Sequence, residues 1–313
     1  MSSFLVTGGC GFIGSHLCDA LVSHGHEVRV IDDLSSGKRE NLSGRETLIV
    51  GDVADPALVR EAVQGIDGCF HLAAIASVER GRQDWLGSHR ANLTATINLF
   101  DSIRLLPNAA EIPVVYASSA AVYGDCATLP LDEEAAKRPL SAYGADKYGC
   151  ELHARVAARV HRVPTVGLRF FNVYGPRQDP LSPYSGVISI FCNRLRQGQP
   201  IEIYGDGSQT RDFVFVQDVV TALLRAMQRR PPDAPVFNVC TGVSTSVLEL
   251  ANTIARLLGL HPDIQFGEPR SGEVRHSTGS PARAHAALDL PPPTCLQDGL
   301  SRVLAWLDQA RAR

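Results

Sequence analysis

The chain has 313 residues, 44% of them hydrophobic and 20% charged, and a net charge of −3 at neutral pH. That length suits a large domain joined to a smaller one, and the composition is that of an ordinary globular protein. The charge supplies no basic field for nucleic acid or an anionic membrane, so any phosphate site must be local, made by a few arginines and backbone N–H groups.

No basic segment with an apolar core precedes the first strand-like run, and no apolar stretch reaches the roughly 18 residues of a membrane span. A cytoplasmic protein is the expectation. Eight cysteines are scattered without a CxxC pair or a His/Cys cluster at metal spacing, so buried reduced thiols are expected. His24 and His26 read as a turn between helix and strand, not as metal ligands.

In chain order, apolar runs alternate with helical patterns. Phe4–Thr7 reads as a strand, Ile13–Ser23 as a helix and Glu27–Asp32 as a strand. Thr47–Gly51 follows as a strand, then a helix near Pro56–Gln64 and a strand at Gly68–Ala73. A helix near Ser88–Leu105, a strand at Pro113–Ser118, a helix at Ala142–His161 and a strand at Thr165–Phe171 complete this half. Such alternation predicts an α/β fold of the Rossmann type, a doubly wound parallel sheet with helices on both faces. Ligands of these sheets sit at the carboxyl ends of the strands.

After Phe171, Pro176, Pro180 and Pro183 interrupt the pattern. Helices are expected near Asp218–Arg229, Ser246–Leu258 and Leu296–Ala310. This suggests a dinucleotide-binding domain over residues 1–170 and a smaller α/β lid over 171–313, with segments near 213–240 returning to the first domain.

Thr7-Gly-Gly-Cys-Gly-Phe-Ile-Gly14 joins the first strand to the first helix. Gly8 permits the tight turn, Gly11 lets backbone approach a pyrophosphate, and Gly14 allows helix–strand contact, with Phe12 and Ile13 between them. The helix N-terminus adds free N–H groups and a positive dipole end. Asp32 closes the second strand, 18 residues past Gly14, where a carboxylate holds the adenosine ribose and repels a 2′-phosphate. NAD is therefore favoured over NADP. Asp33 is the second choice for this role, with helix capping as its other reading. Asp52 and Val53 end the third strand at the adenine edge, and Leu72, Ala73 and Ala74 end the fourth, where small side chains leave room for the cofactor.

Tyr143 and Lys147 are spaced by four at a helix start, which puts them on one face. A free tyrosine ionises near pH ~10, so a phenolate base at neutral pH needs a cation beside it. The fifth strand brings Ser118 and Ser119 to the same sheet edge.

TGGCGFIG, Asp52, the HLAA strand end, SSAAVYG, YGADK and LRFFNVYGPR stand in the order and near the separations of the extended short-chain dehydrogenase/reductases. Over nearly its full length the chain resembles their UDP-hexose 4-epimerases. The resemblance implies an NAD-dependent enzyme acting on a UDP-sugar, with Tyr143 as acid/base and Lys147 on the nicotinamide ribose. It implies Ser119 on the sugar O4, Asn172, Arg211 and Arg270 on the diphosphate, and Asn92 ordering the active-site edge. Phe170, before Asn172, is grouped with the cofactor contacts. Ala120 and Ala121 stand where dehydratase relatives carry an acidic pair, which argues against elimination. Ser277 matches a position where Tyr excludes N-acetyl groups, so UDP-GlcNAc/UDP-GalNAc are expected beside UDP-Glc/UDP-Gal, and Ser77 is a candidate contact to that sugar. UDP-glucuronate is disfavoured because Asp179 would repel its carboxylate. The alternatives are a UDP-glucuronate 4-epimerase, a nucleotide-sugar reductase or decarboxylase, and a catalytically silent NAD-binding regulator.

Two helical stripes, Leu93, Ile97, Phe100 and Ile103, and Tyr148, Leu152, Val156 and Val160, suit packing within the chain. The resemblance implies a homodimer through the same two helices.

Overall fold

The computed structural model describes residues 1–179, 186–231, 233–269 and 274–311. The first half runs β1 (Ser3–Thr7), α1 (Phe12–Ser23), β2 (Glu27–Asp32), β3 (Thr47–Val50), α2 (Pro56–Ala62) and β4 (Gly68–His71). It continues with α3 (Val78–Gln83), α4 (Trp85–His89), α5 (Ala95–Arg104), β5 (Val114–Ser119), α6 (Ala142–His161) and β6 (Thr165–Phe170). Next come β7 (Asn172–Tyr174), α7 (Val187–Arg196), β8 (Ile201–Tyr204), β9 (Thr210–Arg211), β10 (Phe213–Phe215), α8 (Val216–Arg229) and β11 (Val236–Val239). The chain closes with β12 (Thr245–Ser246), α9 (Val247–Leu257), β13 (Ile264–Gly267), β14 (His276–Ser277), α10 (Ala282–Leu288) and α11 (Leu296–Arg311).

Seven strands form one parallel sheet in the order β11-β6-β5-β4-β1-β2-β3. Strands covered on both faces are largely apolar, with any polar side chain paired, and β4 and β6 are buried at every residue. One face packs Leu17, Leu21, Val219 and Leu223 from α1 and α8, and the other packs Leu99, Ile103 and Ala154 from α5 and α6. Each fully buried leucine contributes about 2 kcal/mol. The strand order reverses between β1 and β4, and that switch point opens a crevice at their carboxyl ends.

The remaining strands form two- and three-stranded sheets: β10 with β7, β13 with β8, and β12-β9-β14. They share a third core with α7, α9 and α11, in which Phe191, Ile203, Phe215, Leu250 and Leu300 are buried. Helices α7 and α10 had no counterpart in the sequence reading, because one follows a proline-rich stretch and the other has only seven residues.

The expected helix over Ser88–Leu105 is interrupted. Between α4 and α5 the residues Arg90–Thr94 form a π-helical turn that carries Asn92. Such widened turns re-aim side chains and recur at functional sites. The stripe expectation divides as well. Phe100 and Ile103 are buried within the chain, whereas Ile97, Leu152, Val156 and Val160 are exposed. Cysteines 10, 18, 69, 150, 192 and 240 are buried, but Cys126 is half-buried and Cys295 exposed, since the latter lies in the irregular segment before α11. No helix among the described residues is long and apolar enough to cross a membrane.

Candidate active site

The crevice is a cleft of about 670 Å³ lined by Gly8, Gly11, Phe12, Ile13 and Gly14 at one end and by Ser119, Tyr143, Lys147 and Asn172 at the other. Its glycine turn has steric reasons at Gly8 and Gly14. Gly8 adopts φ +72°, and a Cβ there would stand 2.7 Å from the Ala73 nitrogen. A Cβ on Gly14 would meet the Gly8 carbonyl oxygen at 2.1 Å, so only glycine lets α1 start this close to β1. The N-cap of α1 is Gly11, which has no side chain to satisfy the first amides, so they face the cleft.

Asp32 and Asp33 both line the cleft, but differently. Asp32 is buried and accepts hydrogen bonds from the Cys10 and Leu34 amides, each at 2.9 Å. Burial raises its pKa, partly offset by those two bonds. Asp33 is exposed and caps the Ser35 amide and hydroxyl, a turn in place of the helix cap considered for it. Asp52 and Val53 lie at the far end, where Asp52 accepts from the Ala54 amide and pairs with Arg90 at 3.1 Å.

Leu72, Ala73 and Ala74 line the cleft floor after β4, and Phe170 lines it from β6. Asn92 does not line it. It is fully buried, accepts from the Ile75 amide at 2.8 Å and donates to the Ile75 carbonyl at 3.3 Å. Both ends of its amide are engaged by the backbone of Ile75, in the loop that lines the cleft. Beneath the floor, His71 bridges the hydroxyls of Thr7 (2.8 Å) and Thr96 (2.9 Å). Burial, reinforced by the charge of Lys147, lowers its pKa to about 3 and holds it neutral.

Ser141 caps α6 by accepting from the Gly144 amide at 3.1 Å, which fixes the start of the helix beside Tyr143. Lys147 is buried and donates to the Ala117 carbonyl at 2.9 Å, and its Nζ stands 6.0 Å from the centre of the Tyr143 ring. Ser119 accepts from the Ala121 amide at 3.2 Å, leaving its own O–H to donate into the cleft. Ser77 lines the cleft near this end and caps α3 through the Arg80 amide at 3.0 Å.

Asn172 is exposed in the cleft, and its amide donates to the Asp212 carbonyl at 3.0 Å. Arg211 and Ser277 are not among the cleft-lining residues. They face each other in the parallel pairing of β9 and β14, and the Arg211 guanidinium donates to the Thr210 and Arg275 carbonyls. Asp212, next to Arg211, joins this sheet to the cleft through its carbonyl, which accepts from the Asn172 backbone amide, and its carboxylate is held by the amides of Thr241 and Gly242 at 2.8 and 2.9 Å. Arg270 lies outside the described residues.

Sequence reasoning missed Lys38, Asn41, Arg177 and Gln178, which also line the cleft. The Ser35-Ser36-Gly37 turn at the carboxyl end of β2 was the available signal, given where such sheets bind ligands. Arg177 adopts φ +68° and pairs with Asp19 at 2.7 Å. Lys38 pairs with Asp179 at 2.9 Å, so an ammonium stands beside the carboxylate expected to repel a substrate carboxylate.

The profile of the NAD dependent epimerase/dehydratase family matches residues 4–240. UDP-glucose 4-epimerase of Mycolicibacterium smegmatis is 38% identical over 309 residues, spanning 96% of this chain and 97% of that one. Among solved structures, UDP-glucose 4-epimerase of Thermotoga maritima with UDP-glucose superposes with a TM-score of 0.94 at 33% identity, covering 99% of each chain. UDP-N-acetylglucosamine 4-epimerase of Methanobrevibacter ruminantium, in complex with UDP-N-acetylmuramic acid, gives 0.93 at 34% identity and the same coverage. With a glycine cradle shaped for a pyrophosphate and a profile match over most of its length, the chain belongs to the NAD dependent epimerase/dehydratase family.

Proposed function

We propose that this chain is an NAD-dependent 4-epimerase of UDP-hexoses that acts on UDP-GlcNAc/UDP-GalNAc and also on UDP-Glc/UDP-Gal. One observation carries the reading: Tyr143, Lys147 and Ser119 line the same cleft as the glycine turn, so a sugar hydroxyl and a dinucleotide would meet there. The 4-epimerase relatives support it. The unusually close approach at Gly8 and Gly14 and the bare start of α1 fit a dinucleotide, and Asp32 would accept from the ribose hydroxyls.

Held by the glycine turn and Asp32, NAD would supply a hydride acceptor and later a hydride donor for C4. Tyr143 would remove the O4 proton as C4 becomes a ketone and restore it when C4 is reduced. The Lys147 ammonium stands 6.0 Å from the centre of the Tyr143 ring, where it would hold the nicotinamide ribose, while the Ser119 hydroxyl would orient O4. Between the two steps the 4-keto sugar must turn, so binding energy has to come from the diphosphate. Asn172 would hold it from the cleft, with Arg211 supplying charge from beyond the lining residues; Arg270 is assigned to the same diphosphate by the family resemblance. Residues 1–170 thus serve the cofactor and most of 171–313 the nucleotide sugar. The exposed Ile97, Leu152, Val156 and Val160 suit pairing with a second copy.

The test is turnover of UDP-GlcNAc and UDP-Glc by purified protein and by Ser277→Tyr. The variant should lose about tenfold on the N-acetyl sugar and little on UDP-Glc. Unchanged N-acetyl turnover counts against the substrate assignment. UDP-glucuronate is the second reading, since Lys38 stands beside the one carboxylate expected to repel it, and it belongs in the same assay. A steady change in NADH absorbance would instead identify a net reductase or decarboxylase.

A further inference from the structure

Beneath Ser119 lies a charged network that the proposed chemistry does not use. Helix α6 sets Tyr143, Lys147 and Glu151 at intervals of four, one above another on a single face. Tyr143 and Lys147 line the cleft, while Glu151 is buried and accepts from the Ser118 hydroxyl at 2.6 Å. Arg169, buried on β6, grips the same carboxylate with two bonds of 2.8 and 2.7 Å. Its remaining nitrogen donates to the Tyr123 hydroxyl at 2.7 Å and to the Glu133 carbonyl at 3.1 Å. Tyr123 in turn donates to Asn238 on β11 at 2.7 Å, and the Asn238 amide donates to the Glu133 carboxylate at 2.8 Å.

Buried ion pairs seldom stabilise a fold more than apolar residues of the same size, so a role in geometry is the more informative reading of this one. The arrangement brackets Ser119. Ser118, immediately before it, is held by Glu151, and Tyr123, just after the turn formed by Ala120–Val122, is held by Arg169. The carboxylate that pins the strand also sits one helical turn below Lys147, which pins the same strand at Ala117.

We propose that Glu151 and Arg169 are positioning residues that set the Ser119 turn against the helix bearing Tyr143. The inference rests on the assignment of Ser119 and Tyr143 as the groups that handle O4. Without the clamp the turn would drift relative to the phenol, and a displacement near 1 Å suffices to cost about a hundredfold in rate.

Replacing Glu151 itself would strand a buried guanidinium and risks unfolding. Ser118→Ala and Tyr123→Phe each release one side of the turn and leave the ion pair intact. For either variant kcat on UDP-Glc should fall about tenfold with KM within about twofold, and the double variant should fall further. Ser118→Thr, which keeps the hydroxyl, should restore most of the rate. Amide hydrogen exchange at Ala121 and Tyr123 should quicken about tenfold in both single variants, a readout independent of turnover. Wild-type kcat together with wild-type exchange in both variants would overturn the clamp. Faster exchange with an inactive wild-type enzyme would leave the clamp standing and defeat the assigned chemistry instead.

Discussion

The two sides of the cleft are built on different principles. The glycine-turn side rests on a seven-stranded sheet, with backbone packed so closely that a Cβ on Gly14 would overlap a carbonyl. Arg211 and Ser277, outside the lining, rest on sheets of two or three short strands that reach the other side of the cleft through the Asp212 carbonyl and the Asn172 amide. A hydride moves only between atoms held at fixed separation, which a continuous sheet provides. A sugar that must turn over between two half-reactions needs anchoring at a distance and freedom near the ring. The contrast teaches that close backbone packing is confined to the glycine-turn side.

The largest effect expected on the rigid side is loss of chemistry. Tyr143→Phe should lower kcat about a thousandfold while NAD still co-purifies, measured by turnover and by cofactor released on denaturation. Retained turnover would remove Tyr143 from the mechanism, and loss of NAD would mean that the variant damaged the site instead. Gly14→Ala tests the packing itself. The added carbon should cost about 3 kcal/mol in stability and weaken NAD binding, visible in denaturant midpoints and cofactor titration. A variant as stable as the parent would show that the turn can relax.

A smaller effect concerns the cleft floor. His71 is lowered from its ordinary 6.5 to about 3, by burial first and by Lys147 second. Below the unfolded value the unfolded chain takes up a proton that the folded chain refuses. Stability present above 6.5 is therefore lost progressively as the pH falls toward 3. At about pH 5 the loss amounts to about 2 kcal/mol. Urea midpoints at neutral and acid pH should diverge more for the wild type than for His71→Gln, and equal divergence would place the acid sensitivity elsewhere. The smallest effect lies at the cleft mouth. The partly exposed Lys38–Asp179 pair is worth about 0.5 kcal/mol, so Lys38→Ala should speed NAD dissociation about twofold in a stopped-flow displacement.

The pattern of apolar runs and turns was enough to place the parallel sheet, because strands buried on both faces and glycines in forced conformations leave marks in adjacent residues. The same holds for Tyr143 and Lys147, whose spacing is a local property of one helix. The π-helical turn at Arg90–Thr94 left no such mark, since it arises from packing against α6 and Asn92 binding Ile75 across the chain. Nor did the roles of Lys38 and Arg177, whose partners lie 141 and 158 residues away in sequence.

Local sequence thus determined the strand and helix order, the dinucleotide turn and the tyrosine–lysine pair, because each depends on backbone conformation over a few residues. Only the tertiary structure decided that Asp179 meets Lys38, that Asn92 bonds to the backbone of Ile75, and that one buried ion pair grips both flanks of Ser119. Those are meetings of groups distant along the chain, and the fold alone brings them within hydrogen-bonding reach.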